Sequence, residues 1–170
     1  MAMKRLYSFG FIVLGIALFL GALGWYYLDD LISHPAVVPL PTQIAGLPMT
    51  DRMTGAEAAE NFIGLHNQKF IITAGAIGFY GGDQATLWAA GAPFNFMAAG
   101  LVNSMRDKIA EGNSPFTPTS EFKIGGRTIY ELEGMGQRHF YFQSKNLIIW
   151  LAANPSIADE AIEQTLEAYP

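Results

Sequence analysis

The stretch from Leu6 to Leu28, LYSFGFIVLGIALFLGALGWYYL, is 23 residues long and contains no charged side chain. As a helix it would extend about 35 Å at roughly 1.5 Å per residue, more than the roughly 30 Å of a bilayer's hydrocarbon core. We therefore predict a transmembrane helix over residues 6–28. A cleaved secretory signal is the alternative, because Ala22 and Gly24 provide a small-x-small site. The apolar run is longer than the core of a typical signal, so we expect the helix to be retained.

The charges on the two flanks of this helix predict its orientation. Lys4 and Arg5 precede it, and Asp29 and Asp30 follow it. Basic residues next to a span favour the cytoplasmic side, so residues 1–5 are predicted to be cytoplasmic and the rest extracytoplasmic, in a bacterial inner membrane. Aromatic residues with a polar group favour the headgroup level. The predicted membrane-interface residues are Trp25, Tyr26 and Tyr27.

Small residues form one stripe on this predicted helix: Gly10, Ala17, Gly21 and Gly24. Ala17 and Gly21 have small-xxx-small spacing, which lets a second helix approach closely. The stripe therefore predicts a helix-packing face for integral membrane protein subunits. The alternative is that glycine is simply frequent in membrane helices.

Proline dominates the segment after the helix. Residues 29–49 contain Pro35, Pro39, Pro41 and Pro48, a spacing that disfavours both a helix and a paired strand. We predict an extended, semi-rigid spacer that holds the following domain away from the bilayer.

Residues 50–170 alternate between helical and strand patterns, which predicts one extracytoplasmic α+β domain. Two strand-like runs, Phe70–Tyr80 and Gln84–Gly91, are separated by a glycine-rich turn, and two further hairpins follow at FKIGGRTIYELEG and RHFYFQSKNLIIWLAA. Helices are predicted up to His66, over Asn95–Glu111 and from Ser156 to about Ala168. The resulting fold class is a mainly antiparallel sheet of about five or six strands with two or three covering helices.

The third hairpin contains the aromatic cluster of the chain. Alternation along the strand places His139 and Tyr141 on one face and Phe140 and Phe142 on the other. One face is thus apolar and the other amphipathic. Trp150 is interpreted either as a core residue or as a platform for a ligand.

The last helix carries the main acidic cluster: Asp159, Glu160, Glu163 and Glu167. Such a cluster is usually a solvated face. A docking patch for a basic partner is the alternative interpretation.

Composition excludes several classes of site and partner. With no cysteine, the chain forms no disulfide and no thiolate metal site. A net charge of −5 without a basic cluster argues against a nucleic-acid partner. The sequence contains no HExxH, GxSxG, P-loop or dinucleotide motif, so we predict no enzymatic activity, no cofactor and no metal site.

Two histidines and two glutamates are the residues that come closest to a catalytic or metal site in this sequence. His66 and His139 have no second ligand at metal spacing, and Glu131 and Glu133 share one strand face. Two carboxylates suit acid–base chemistry only where burial separates their pKa values, and on a half-solvated sheet we expect them to be exposed.

Several segments together resemble small single-pass bacterial membrane proteins with an extracytoplasmic α+β domain, a class without an assigned activity. They are PLPTQIAGLPMT, LHNQKF, GRTIYELEGMGQRHFYFQ and LIIWLAANP. The order of elements is also similar to the antiparallel-sheet domains of photosystem extrinsic proteins and of some mycobacterial lipoproteins, a likeness of fold alone.

Two functions follow as hypotheses. The first is a non-catalytic accessory or structural subunit of a larger membrane complex, of the electron-transport or photosynthetic kind, with the lipid bilayer and neighbouring membrane helices as partners. The alternative is a stand-alone, membrane-anchored ligand-binding or sensing module, with its ligand surface on the Tyr141 face and the loop of residues 112–120.

Overall fold

The computed structural model describes residues 2–66 and 70–170, and of residues 2–8, 65 and 66 it describes the backbone alone. These residues form four helices and nine strands. The helices are α1 (Ala2–Ser33), α2 (Ala56–His66), α3 (Asn95–Ala110) and α4 (Ala158–Ala168). The strands are β1 (Ala36–Val37), β2 (Gln43–Ile44), β3 (Leu47–Thr54), β4 (Ala74–Tyr80), β5 (Ala85–Gly91), β6 (Thr117–Ile124), β7 (Arg127–Gly134), β8 (Gln137–Ser144) and β9 (Leu147–Ala153).

Helix α1 is the one helix of the described residues that is long and apolar enough to cross a membrane, over Phe9–Ser33. None of its described side chains is buried against the rest of the chain. The helix continues beyond Leu28, where the uncharged run ends, because no helix-breaking residue occurs before Pro35. The prediction of a long apolar helix near the N-terminus is confirmed, whereas its crossing of a membrane and its orientation stay predictions.

The nine strands form one sheet, in which eight follow the order β2-β3-β4-β5-β9-β8-β7-β6 and β1 pairs with β4. All neighbouring pairs in this order are antiparallel. Strand β1 is parallel to β4 and occupies the edge of β4 beyond the end of β3, with Ala36 opposite Ala74. The turn between β4 and β5 has positive φ angles at Gly81, Gly82 and Asp83, as the glycine-rich sequence predicts.

The α+β class, the antiparallel sheet and three covering helices are confirmed, but the prediction of five or six strands is wrong. The reason is the proline-rich segment 29–49, which contains β1, β2 and the start of β3. Its prolines lie between or at the ends of these short strands, where no ladder donor is needed. Two side chains of the supposed spacer, Val38 and Ile44, are buried in the core. The folded domain therefore begins near residue 36.

Strand β6 is expected as the first strand of the hairpin FKIGGRTIYELEG, but it starts at Thr117, inside the proline-containing sequence NSPFTPTSEF. Strand β6 is an edge strand, and its register shifts between Pro118 and Ser120. Proline is tolerated in edge strands and at bulges, since one N–H there points away from the ladder.

Helices cover both faces of the sheet. On one face α4 and the segment 38–45 pack on Phe140, Phe142 and Leu151, as the alternation in β8 predicts. On the other face two separate clusters form. One lies under α2 around Ile77, and the other lies under α3 around Tyr141 and Ile148.

Candidate functional site

A cleft lies between α2 and α3, and the packing of the two helices explains it. Helix α2 contacts β3 and β4, whereas α3 contacts β8 and β9. Gly75 of β4 allows the close approach of α2, because a Cβ on Gly75 would lie 3.1 Å from the Ala58 Cβ atom. Strand β5 lies between the two groups of strands. On the face of the sheet that carries α2 and α3, the β5 side chains Trp88 and Ala90 are only half-buried, and they form part of the floor of the cleft.

The cleft has a volume of about 600 Å³, within the range of ligand pockets in proteins, roughly 300–1,000 Å³. Most of its wall is apolar. On the α2 side it is lined by residues 70–72 and Phe62, and on the α3 side by Leu101, Met105, Pro115 and Phe116. The floor is formed by Trp88, Ala90, Gly91, Ile148 and Trp150.

A stack of aromatic rings supports the α3 half of the cleft, and Trp150 is the ring of this stack that lines it. The Trp150 and Tyr141 rings are nearly parallel, with centroids 5.2 Å apart, and Tyr130 stacks on Tyr141 at 4.8 Å. Phe116 meets the edge of Trp150, with centroids 5.2 Å apart. Offset stacks and edge contacts are the favoured geometries of aromatic pairs, so these contacts stabilise the orientation of the Trp150 ring. Burial raises the pKa of Tyr141, whose hydroxyl therefore stays protonated.

His139 connects the aromatic wall to the end of the cleft. Trp150 Nε1–H donates to His139 Nδ1 at 3.2 Å, which leaves His139 Nε2–H to donate to the carbonyl oxygen of Gly134 at 3.0 Å. Burial lowers the pKa of this imidazole below its ordinary value, although the bond to Gly134 opposes the shift. His139 is thus a neutral residue with both nitrogens occupied, which suits a positioning role and not general-base catalysis.

Few polar groups border the cleft: Ser104, Lys108 and Gln137. Gln137 Nε2–H donates to the Asp83 carbonyl oxygen at 3.4 Å. Lys108 is exposed, and no carboxylate in the described part of the chain lies within ion-pair distance of it. An apolar interior with a few polar groups at its rim is typical of sites for apolar or amphiphilic ligands.

The residues predicted for helix packing lie on an exposed helix. A Cβ added to Gly10, Gly21 or Gly24 would meet no atom within 4 Å, and Ala17 is exposed. The predicted interface residues are also exposed, by 64–74% of each side chain: Trp25, Tyr26 and Tyr27. The chain therefore uses neither set for its own packing, and both assignments stay predictions.

One of the predicted docking residues of α4, Asp159, is paired with a basic residue of the sheet. Arg138 of β8 forms ion pairs with Asp159 and Glu131, both at 2.7 Å. Glu160 accepts a hydrogen bond from Gln164, whereas Glu163 and Glu167 are exposed. Because Glu131 is tied to Arg138 and Glu133 is exposed, the two strand carboxylates do not form an acid–base pair.

Of the ligand surface predicted from the sequence, the loop 112–120 contributes Pro115 and Phe116 to the cleft and the Tyr141 face contributes His139, whereas Tyr141 itself is buried and does not line it. Sequence reasoning left Trp150 open between core and ligand platform, and this side chain is half-buried in the cleft wall. The contributions of Trp88 and Met105 were missed. The sequence signal for the cleft was the succession of small residues in β4 and β5. This succession indicates that another element packs closely on these strands, but it does not indicate where the covered surface ends.

In the described residues no three His, Asp or Glu side chains gather as metal ligands would. Comparisons with protein-family models, with curated proteins and with solved structures found no match for this chain. The cleft is therefore interpreted from its own geometry.

Proposed function

We propose that this chain is a membrane-anchored binding module whose folded domain holds an elongated apolar or amphiphilic ligand in the cleft between α2 and α3. The observation that carries the proposal is the cleft itself, about 600 Å³ with apolar and aromatic walls beside an uncovered strand. Apolar surface left open at this scale is typical of a binding site.

Helix α1 supplies the anchor in this proposal. Its apolar length suits one crossing of a bacterial cytoplasmic membrane. The basic pair Lys4 and Arg5 before it and the acidic pair Asp29 and Asp30 after it favour a cytoplasmic N-terminus and an outer domain. The proposal assigns no chemical step to the cleft, since His139 already uses both ring nitrogens.

Photo-crosslinking tests the binding site. The detergent-purified full chain is irradiated with a long-chain fatty acid that carries a diazirine in its tail, and the labelled peptides are mapped. We expect labels on the cleft residues Met105, Phe116 and Trp150, in addition to lipid contacts along α1. Labels confined to α1 would refute the proposal.

A variant with a filled cleft and a matched control test whether the labels depend on the cleft. Ala90→Phe places a ring on the floor of the cleft and should abolish the cleft labels. Ala110→Phe makes the same change at an exposed position of α3 outside the cleft and should leave them unchanged. Equal labelling of both variants would mean that the labelled residues are reached from the surface.

An accessory subunit of a larger membrane complex, of the electron-transport kind, is the second candidate. It is favoured by the small-residue stripe of α1, which meets no other part of the chain. Purification of the tagged full chain at native abundance tests it. Recovery with the same large membrane partners supports a subunit, and recovery as a free monomer contradicts it.

A further inference from the structure

The two ends of the sheet differ in their distance from the membrane anchor. Ala36 of β1 lies opposite Ala74, Ala74 opposite Gly91, and Gly91 opposite Leu147. We call this row the anchor-proximal end of the domain. The turns at residues 81–84 and 135–136 lie at the opposite, distal end.

The anchor-proximal end is held close to α1 by the covalent chain. Only His34 and Pro35 separate Ser33, the last residue of α1, from Ala36. Three Cα–Cα steps cover at most about 11 Å. Ala36 N–H then donates to the Thr73 carbonyl oxygen at 2.9 Å, which fixes the chain to the sheet at once. If α1 crosses a bilayer, this end of the domain lies next to its headgroup layer.

Exposed apolar side chains gather at the same end. Phe96 is 73% exposed and Phe94 is 49% exposed, and their rings stack with centroids 5.5 Å apart. Both lie at the start of α3, just after Gly91 ends β5. Ile71 is 44% exposed and lies two residues before Thr73, whose N–H donates to the Gly91 carbonyl oxygen. Ile71 lies beside the ends of β4 and β5, whereas the two phenylalanines lie beside β8, where Gln143 Nε2–H donates to the Asn95 carbonyl oxygen at 2.9 Å. We call these three residues the apolar patch of the anchor-proximal end.

The patch meets the cleft at Ile71, whereas Phe94 and Phe96 do not line it. Ile71 belongs to the exposed patch and also lines the cleft, together with Ile72 and Gly91. The rim groups Lys108 and Gln137 lie toward the other end, because α3 runs away from Gly91 and Gln137 bonds to Asp83 in the distal turn. The cleft thus extends from an apolar mouth beside the anchor to a distal rim that contains Lys108, Gln137 and the exposed Met135.

We propose that Ile71, Phe94 and Phe96 rest in the headgroup layer of the membrane that α1 crosses, so that the cleft opens onto the bilayer and takes an amphiphilic lipid from it. This inference rests on the proposed function of the cleft. Aromatic side chains are favoured at this depth, and a ligand that is already in the membrane need not cross water to reach the mouth. The tether of two residues keeps the mouth within reach of its own leaflet.

Depth-dependent quenching tests the position of the patch. The chain has no cysteine, so a single introduced cysteine can carry a fluorescent label without background. Phe96→Cys and the distal control Gln84→Cys, at an exposed position of the turn at residues 81–84 that does not line the cleft, are labelled in the full chain. Both are placed in phosphatidylcholine–phosphatidylglycerol vesicles whose lipids carry a nitroxide near the top of the acyl chain. The nitroxide is in both leaflets, so the direction of insertion does not affect the result.

We expect loss of fluorescence at position 96 and none at position 84. Equal quenching at the two sites, or none at position 96, would overturn the inference. A second variant leaves the cleft intact: Phe94→Ser combined with Phe96→Ser should slow the uptake of a fluorescent phospholipid from vesicles. Uptake at the parent rate would also count against it.

Failure of this inference is distinguishable from failure of the proposed function. If the cleft is labelled by the diazirine fatty acid in detergent but position 96 is not quenched in vesicles, the cleft binds its ligand and the mouth does not face the bilayer. If position 96 is quenched but the cleft is never labelled, the patch is a membrane contact and the cleft is not its binding site.

Discussion

Replacing Tyr80 and Tyr169 with phenylalanine should loosen the segment 38–45 from the rest of the domain. The hydroxyl of Tyr169 donates to the Pro39 carbonyl oxygen at 2.7 Å, and that of Tyr80 donates to the Pro41 carbonyl oxygen at 2.9 Å. These two bonds join the first residues after α1 to the sheet and to the end of α4. The substitution removes one oxygen atom at each site and leaves both rings in the core.

The two losses should differ in size. A hydrogen bond contributes about 0.5–1.5 kcal/mol, and a buried acceptor without a partner costs roughly 1–3 kcal/mol. Pro39 is exposed, so water can replace the Tyr169 hydroxyl and Tyr169→Phe should cost about 0.5–1 kcal/mol. Pro41 is half-buried against the fully buried Tyr80, so Tyr80→Phe should cost about 1–2 kcal/mol. The double variant should therefore lose about 2 kcal/mol, which lowers the melting temperature by roughly 5–10 °C.

Hydrogen–deuterium exchange of the full chain in detergent measures the local effect. A loss of about 2 kcal/mol accelerates exchange through opening of the segment by roughly 30-fold, at about 1.4 kcal/mol for each factor of ten. Tyr27→Phe on the exposed surface of α1 makes the same chemical change and should alter neither exchange nor melting. Parent-like exchange at residues 36–47 in the double variant would refute the packing described for this segment.

Three further outcomes follow from single residues. Because burial lowers the pKa of His139 in the folded chain, the unfolded chain binds a proton at a higher pH than the folded chain does. The free energy of unfolding should therefore be constant above about pH 7 and fall below pH 6.5 by up to about 1.4 kcal/mol per pH unit. His139→Gln should flatten this slope. Gly75→Ala should destabilise the domain by about 1–3 kcal/mol in calorimetry because α2 must move away, whereas Gly64→Ala, with no atom within 4 Å, should be neutral or stabilising. The Gly21→Leu variant should insert normally into membranes but lose its native partners if the stripe packs on protein. The Gly15→Leu variant, changed on the opposite side of α1, should keep these partners. If both variants keep their partners, any docking surface lies outside the stripe.

Local patterns predicted the elements whose causes are local. The helix over Asn95–Glu111 and its stop at Gly112 follow from apolar periodicity and from a positive φ at that glycine. The hairpins follow from glycine-rich turns between alternating strands. At α4, Ser156 was predicted as the N-cap, but the helix starts at Ala158 with Ile157 in the cap position. Helix boundaries depend on one or two hydrogen bonds that no composition pattern encodes.

Elements with distant causes could not be predicted. Strand β1 consists of Ala36 and Val37, and nothing in these two residues specifies pairing until β4 supplies an open edge. The cleft depends on the gap between α2 and α3, which Gly75 sets by drawing α2 toward β4. The sequence indicates close packing at that glycine. The resulting gap over β5 emerges only once the order of the strands is known.

Ala90→Phe also distinguishes a ligand cleft from a packing defect through its effect on stability. A phenyl ring on the floor of the cleft would cover apolar surface next to Trp88 and Ile148, and full burial of such a side chain contributes about 1.5–3 kcal/mol. Phenylalanine also suits a strand better than alanine. We therefore expect Ala90→Phe to melt at a higher temperature than the parent while it loses the cleft labels, and Ala110→Phe to change neither. This combination is the expected cost of keeping a site open, since natural chains give up stability where function requires it. A destabilised Ala90→Phe variant would show that the space over β5 is too small for a ring, and the proposed ligand class would then be wrong.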